Sequence, residues 1–95
     1  MAITRIKKRS GTITDFDQSR IQSAIARAYE ASKVLIDIVS LTELTDKIVA
    51  VLEEIYGGDR IPEVEDIQNV VEKEIALNGD FEVAKSYVLY REERN

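Results

Sequence analysis

Lys8, Arg9 and Arg20 are the residues best placed for chemistry in this sequence, and the chemistry they suit is the binding of a compact anion. Lys8 and Arg9 stand directly before Ser10-Gly11, a pair able to turn the chain tightly. Arg20 follows Asp17 by one helical turn. A helix opening there would present N–H groups with no partner inside the helix, together with the positive end of its dipole. Cations beside such a terminus neutralise phosphate, and an arginine can hold two oxygens at once. Residue type and spacing define a candidate anion site here, and they name no ligand. Taken alone, Lys8 and Arg9 also fit the solvated tip of a charged hairpin.

Other chemistries lack their residues. The 95-residue sequence has no Cys and no His. That excludes disulfides, thiolate nucleophiles and Cys-based zinc sites, and it removes the commonest general base. Neither GxxxxGK[ST] nor GxGxxG is present. Glu53-Glu54 and Glu92-Glu93 fall at solvent-facing helical positions, and Glu63, Glu65 and Asp66 match no calcium-loop spacing. No catalytic residue and no metal ligand is assigned, and the chain reads as less than a complete enzyme. Its net charge of −5 is uneven, with +3 on residues 1–20 and −8 on the rest. A small basic end on an acidic body fits a compact anion better than a nucleic-acid backbone, so direct nucleic-acid binding is not expected. The opening MAITRIKKRSG lacks the apolar stretch of a signal peptide, and no run reaches membrane-spanning length. The expectation is a soluble cytoplasmic domain without membrane association.

The elements that must position these residues can be read from periodicity. With 44% apolar residues and only one Pro, the chain is expected to form one domain over 1–95. Residues 3–15 predict a β-hairpin cap, with strands over Ile3–Lys8 and Thr12–Asp15 around Arg9-Ser10-Gly11. Residues 17–94 predict a helical bundle. Ile21, Ala24, Ile25, Ala28 and Tyr29 form the stripe of a first helix capped by Asp15 or Asp17. Ser40-Leu41-Thr42-Glu43 reads as a capping box opening a second helix, which buries Leu44, Ile48, Val51, Leu52 and Ile55 and stops at Gly57-Gly58. Pro62 favours extended chain, and a short third strand is expected near 60–63. A third helix carries Val64, Ile67, Val70, Val71 and Ile75. A fourth, capped by Asp80, turns Phe81, Ala84, Tyr87 and Val88 inward. The predicted fold class is α+β, mainly α, a four-helix bundle capped by a small three-stranded β-sheet.

The stretch Ile6-Lys7-Lys8-Arg9-Ser10-Gly11-Thr12-Ile13-Thr14-Asp15-Phe16-Asp17-Gln18-Ser19-Arg20-Ile21 resembles the opening motif of the ATP-cone family. That motif runs Lys-Arg-Asp-Gly, a second strand, then Phe-Asp-x-x-Lys-Ile. The similarity continues through Ile61-Pro62 and Asp66-Ile67 to Ala84-Lys85-Ser86-Tyr87-Val88-Leu89-Tyr90-Arg91. The resemblance implies the same capped four-helix bundle and an allosteric role: ATP in the cone permits ribonucleotide reduction and dATP shuts it down, commonly through subunit assembly. It further implies ATP or dATP as ligand, with or without Mg, and the rest of a parent reductase or a second cone as partner. Such a parent would be a ribonucleoside-diphosphate or ribonucleoside-triphosphate reductase. The initial Met and the end just after the fourth helix suit a fragment of that kind.

By the same resemblance Lys8 and Arg9 contact phosphates, with Arg20 joining from the first helix and Arg91 from the end of the last. Ile6 and Ile21 border the base, while Thr14 and Asp17 offer polar contacts to base or ribose. Val64 stands where some members have Thr, and Gln68 where some place His. Ser10 replaces the Asp of the turn, and Arg20 replaces a common Lys. By spacing alone, Ile6, Ile21, Val64 and Ile67 are core residues, and Tyr87 and Tyr90 are packing or surface aromatics. Two other roles compete: the cone of a nucleotide-responsive transcriptional regulator, whose zinc ribbon would need the absent cysteines, and a protein-interaction domain that has lost its ligand.

Overall fold

A computed structural model describes residues 2–58 and 60–94, so both ends of the expected 1–95 domain lie outside the described residues. In chain order the elements are β1 (Arg5–Lys7), β2 (Ile13–Asp15), α1 (Gln18–Ser32), α2 (Ile38–Tyr56), α3 (Val64–Leu77) and α4 (Phe81–Arg94). The mainly helical class and the order of elements are those read from the sequence. No helix among the described residues is long and apolar enough to cross a membrane.

The hairpin is antiparallel, with Arg5 opposite Asp15, Ile6 opposite Thr14 and Lys7 opposite Ile13. Its turn closes through Gly11 N–H donating to Lys8 O at 2.9 Å and Lys8 N–H donating to Thr12 O at 2.8 Å. Gly11 sits at φ 90°, the left-handed position that a hairpin with one extra residue needs and that a side chain would strain.

The expected third strand shrinks to a single bridge. Lys7 pairs in parallel with Glu63, and its N–H donates to Pro62 O at 3.0 Å. The sheet therefore has two strands rather than three. The cause is local: Pro62 has no N–H to extend a ladder, and Glu63 already caps α3. That one bridge still ties the hairpin to the start of α3.

α1 begins where an acceptor is available. Asp17 caps it, taking Ser19 N–H at 3.0 Å and Ser19 Oγ at 2.6 Å. The helix ends at Lys33, which adopts the left-handed conformation (φ 59°). α2 opens earlier than its apparent capping box. Asp37 accepts from Ser40 N–H at 2.8 Å, so the helix starts at Ile38 and Ser40 lies inside it. A carboxylate three residues upstream is the stronger acceptor and takes the donor that the box would have used. Glu63 N–H donates to Asp66 Oδ2 at 3.0 Å, which fixes the first turn of α3.

α1 and α3 each pack against both α2 and α4. The core between them includes Ile25, Ile48, Leu52, Ile75 and Val83, all fully buried. Not every expected inward residue reaches it. Ile55 is 42% exposed because the buried stripe of α2 runs from Leu52 to the partly buried Tyr56 and leaves Ile55 beside it. Val51 and Val88 are half-buried, while Val70, also half-buried, does pack against the core. Phe81 is exposed, and Val83 takes the core place beside Ala84 and Tyr87. Apolar residues occur on every side of α4, so spacing alone does not choose its face. Asp80, just before α4, accepts from the buried Tyr29 hydroxyl and from Asn78 Nδ2, joining the end of α1 to the start of α4.

Candidate functional site

Beneath the hairpin lies a cleft of about 540 Å³, inside the ~300–1,000 Å³ range of small-molecule sites. The hairpin contributes Ile6, Lys8, Arg9 and Ser10, and the entry to α1 contributes Phe16, Asp17, Arg20, Ile21 and Ala24. α3 adds Val64, Ile67 and Gln68, and α4 adds Tyr87 and Tyr90. Four separate elements thus meet at one place, and the Lys7–Glu63 bridge holds two of them together.

Eight of the ten residues singled out in the sequence line this cleft: Ile6, Lys8, Arg9, Asp17, Arg20, Ile21, Val64 and Gln68. Thr14 and Arg91 do not. Thr14 lies opposite Ile6 across the hairpin, half-buried. Arg91 Nη1 donates to Asn69 Oδ1 at 2.8 Å and to Glu72 Oε1 at 3.1 Å, so its guanidinium binds α4 to α3. Ser10, Phe16, Ala24, Ile67, Tyr87 and Tyr90 also line the cleft, although sequence reasoning assigned them no site role and marked Ala24 and Ile67 as core and the two tyrosines as packing or surface aromatics. A signal for some of them existed. Val64, Ile67 and Gln68 stand at i, i+3 and i+4 on α3, and Tyr87 and Tyr90 stand three apart on α4, so each set shares a face.

The rim of the cleft is cationic and mostly exposed. Arg9 Nη2 lies 2.8 Å from Glu65 Oε1, with both side chains about half exposed. Arg20 Nε is 4.0 Å from Asp17 Oδ2. Lys8 makes no ion pair among the described residues, which leaves its ammonium to solvent or to an incoming anion. Asp17 stays ionised more readily than an ordinary carboxyl. The Ser19 hydroxyl and then the Ser19 N–H hold its pKa down, with a smaller contribution from Arg20.

The floor is apolar, and it carries one unmet polar atom. Ile21 and Ile67 are buried, and the rings of Tyr87 and Tyr90 stand 6.2 Å apart at a tilt of 31°. Burial pushes the Tyr87 phenol well above the ordinary range, and only the nearby Arg91 opposes this, so Tyr87 remains neutral. Gln68 Oε1 is buried with no hydrogen-bond partner among the described residues. Leaving such an acceptor unpaired costs about 1–3 kcal/mol. A ligand bringing an N–H or O–H donor to the α3 wall would recover that energy.

A second cleft, of about 480 Å³, borders the same turn. It shares Lys8, Arg9, Ser10 and Val64 with the first and adds Lys7, Gly11, Glu63 and Glu65. Among the described residues no three carboxylates gather as a metal site. The larger cleft thus combines cations at the rim, apolar walls below, and one buried acceptor without a partner among the described residues.

The model of the ATP cone domain matches residues 4–95. A ribonucleoside-diphosphate reductase subunit alpha of Chlamydia pneumoniae is 31% identical over 98 aligned positions, covering 98% of this chain and 9% of that protein. Vitamin B12-dependent ribonucleoside-diphosphate reductases are similar too. The one from Mycobacterium tuberculosis is 36% identical over 95% of this chain, and the one from Thermoplasma acidophilum 37% over 97%. This chain spans only 12% of the length of either. The similarity therefore concerns the cone and stops short of the remaining nine-tenths of those reductases. With the family model matched from the first strand to the last helix, the chain belongs to the ATP-cone family.

Proposed function

We propose that this chain is an allosteric domain that binds ATP and dATP in the cleft under the hairpin and switches the activity or subunit assembly of a cytoplasmic ribonucleotide reductase. The observation that carries the reading is the composition of the cleft. Three cations, Lys8, Arg9 and Arg20, share a rim with apolar walls and an unpaired buried acceptor, Gln68 Oε1. A nucleoside triphosphate has the matching parts: a polyanion, a flat base, and N–H or O–H donors.

Each residue then has a task. Lys8 attracts phosphate oxygens as a point charge, while Arg9 and Arg20 can grip two at a time. Ile6, Ile21 and Val64 enclose the base and exclude water around it. Gln68 accepts a donor from the base or ribose, and Asp17 is held as an anion at the start of α1, suited to a hydroxyl donor. Thr14 supports Ile6 from the facing strand, and Arg91 supports the wall by fastening α4 to α3. Mg would travel with the phosphates, because the described residues build no cage of their own for it.

Binding alone regulates nothing. ATP and dATP must bind two states of the parent assembly with different affinities, because equal affinity shifts no equilibrium. A coupling of about 1–3 kcal/mol is usual for such control. The partner that reads the switch would be the rest of the reductase or a second cone.

Calorimetric titration of the chain with ATP and with dATP tests the reading. Saturable binding of both, with unequal affinities, is expected. Heat no greater than dilution for both ligands at millimolar concentration would contradict it.

A further inference from the structure

The turn that carries Lys8 and Arg9 is not an open anion trap, because one of its cations already has an anion. Arg9 Nη2 sits 2.8 Å from Glu65 Oε1, and Glu65 belongs to the first turn of α3. The pair spans the strip between the two clefts. Arg9 lines both of them, whereas Glu65 lines only the smaller one. The guanidinium is therefore tied to a carboxylate of the smaller cleft while Arg9 also lines the larger one.

We infer that Glu65 is a built-in competitor for Arg9, a counter-anion that a polyphosphate must displace, and that it thereby sets how much anionic charge a ligand needs in order to bind. This rests on the nucleotide reading above and goes beyond it by assigning an opposing role to a residue outside the main cleft. The physical case has two parts. Glu65 engages Nη2, one of the nitrogens that would otherwise fork onto phosphate oxygens. It also keeps a negative charge beside the place where phosphates would lie. Neither group is deeply buried, with side chains 47% and 54% exposed, so the pair is weak enough to exchange. Glu63 and Asp66, the neighbouring carboxylates, are engaged differently: Asp66 Oδ2 accepts from Glu63 N–H at 3.0 Å and steadies the helix start. Among these three acids Glu65 is the one that reaches the turn's arginine. Displacing it would also loosen the tie between the hairpin tip and α3, leaving the Lys7–Glu63 backbone bridge in place.

The test compares wild type with Glu65→Gln by calorimetry, using ATP, inorganic tripolyphosphate and adenosine. Glu65→Gln is expected to tighten ATP and tripolyphosphate by about 3- to 10-fold, the worth of a screened ion pair plus relieved repulsion, and to leave adenosine unchanged. Glu43→Gln removes the same charge from the early turns of α2 and should tighten neither phosphate ligand. In an Arg9→Ala background the gain from Glu65→Gln should shrink to the part that relieved repulsion supplies, because the two changes share one contact. A gain undiminished without Arg9, or one that Glu43→Gln matches, would overturn the inference. The outcomes also separate it from the nucleotide reading. Equal ATP binding by wild type and Glu65→Gln removes the competitor and keeps the nucleotide site. Tripolyphosphate binding strengthened in Glu65→Gln, with no preference for ATP over tripolyphosphate, keeps the competitor and removes the adenine site. No binding of any ligand by either variant removes both.

Discussion

The two ends of this bundle are built on different principles. At the cap end, contacts are polar, short-range and largely exposed: a three-residue strand on each side of the turn, one parallel bridge, and ion pairs at Arg9–Glu65 and Arg20–Asp17. Toward the far end, cohesion comes from packed aliphatic side chains and from the Tyr29–Asp80 hydrogen bond between α1 and α4. Leu35, Ile38 and Val39 lie exposed there, at 98%, 66% and 63%, with no cation among them. The contrast teaches that stability and recognition are separable in this fold. The core can hold the four helices in place while the cap keeps its arginines in exposed ion pairs and leaves one amide oxygen without a partner among the described residues.

Substitutions can break that separation, and the largest effect should come from the core. Ile48 is fully buried, so Ile48→Ala should cost about 2–5 kcal/mol of unfolding free energy. Urea denaturation monitored by circular dichroism would measure it. At concentrations where the variant stays folded, its nucleotide affinity should match wild type.

The converse substitution acts on the cap. Lys8→Ala with Arg9→Ala removes two exposed cations, so ATP affinity should fall by about tenfold or more, with stability moving within about 0.5 kcal/mol. An equal loss of stability and affinity would mean that the two ends are not independent.

Alkaline pH probes the far end. Burial, and then the Asp80 carboxylate, push the Tyr29 phenol up to about 12, against about 10 in an unfolded chain. A raised pKa in the fold stabilises it fully below pH 10, and that contribution is lost as pH rises from 10 toward 12. Unfolding curves over that window should show less alkaline destabilisation for Tyr29→Phe than for wild type. Burial of Tyr87 raises its phenol as well, so some sensitivity should remain in the variant.

The smallest expected effect is at Arg91, whose guanidinium is committed to Asn69 and Glu72. Arg91→Ala should cost about 1 kcal/mol of stability and change ATP affinity by less than about twofold. A tenfold loss of affinity, read in the same titrations, would return Arg91 to the phosphate site.

Much of the fold was legible because local and tertiary preferences agree. The stripe on α1, the Asp17 cap and the Gly11 turn each follow from a few neighbouring residues, and each stands where the spacing placed it. Legibility failed where two local signals competed. Asp37 and Ser40 both could cap α2, and the carboxylate upstream won. Pro62 marked extended chain correctly but also prevented that chain from becoming a strand. On α4 the apolar residues surround the helix, so only packing could show that Val83 goes in and Phe81 stays out.

The candidate site was legible in its charged half, because Lys8, Arg9, Asp17 and Arg20 are close in sequence. Its apolar half is assembled by tertiary contact. Tyr87 and Tyr90 join Ile6 only when α4 returns to the cap, some eighty residues later in the chain. The Arg9–Glu65 pair is of the same kind, since no sequence spacing announces it.

The most direct measurement is amide chemical-shift mapping of the isotope-labelled chain during titration with ATP. Saturable shifts are expected at Lys8–Gly11, Asp17–Ile21 and Val64–Gln68, with Leu35–Ser40 at the far end unmoved. Shifts centred on Leu35–Ser40 and Phe81, or none at millimolar ATP, would contradict binding under the hairpin.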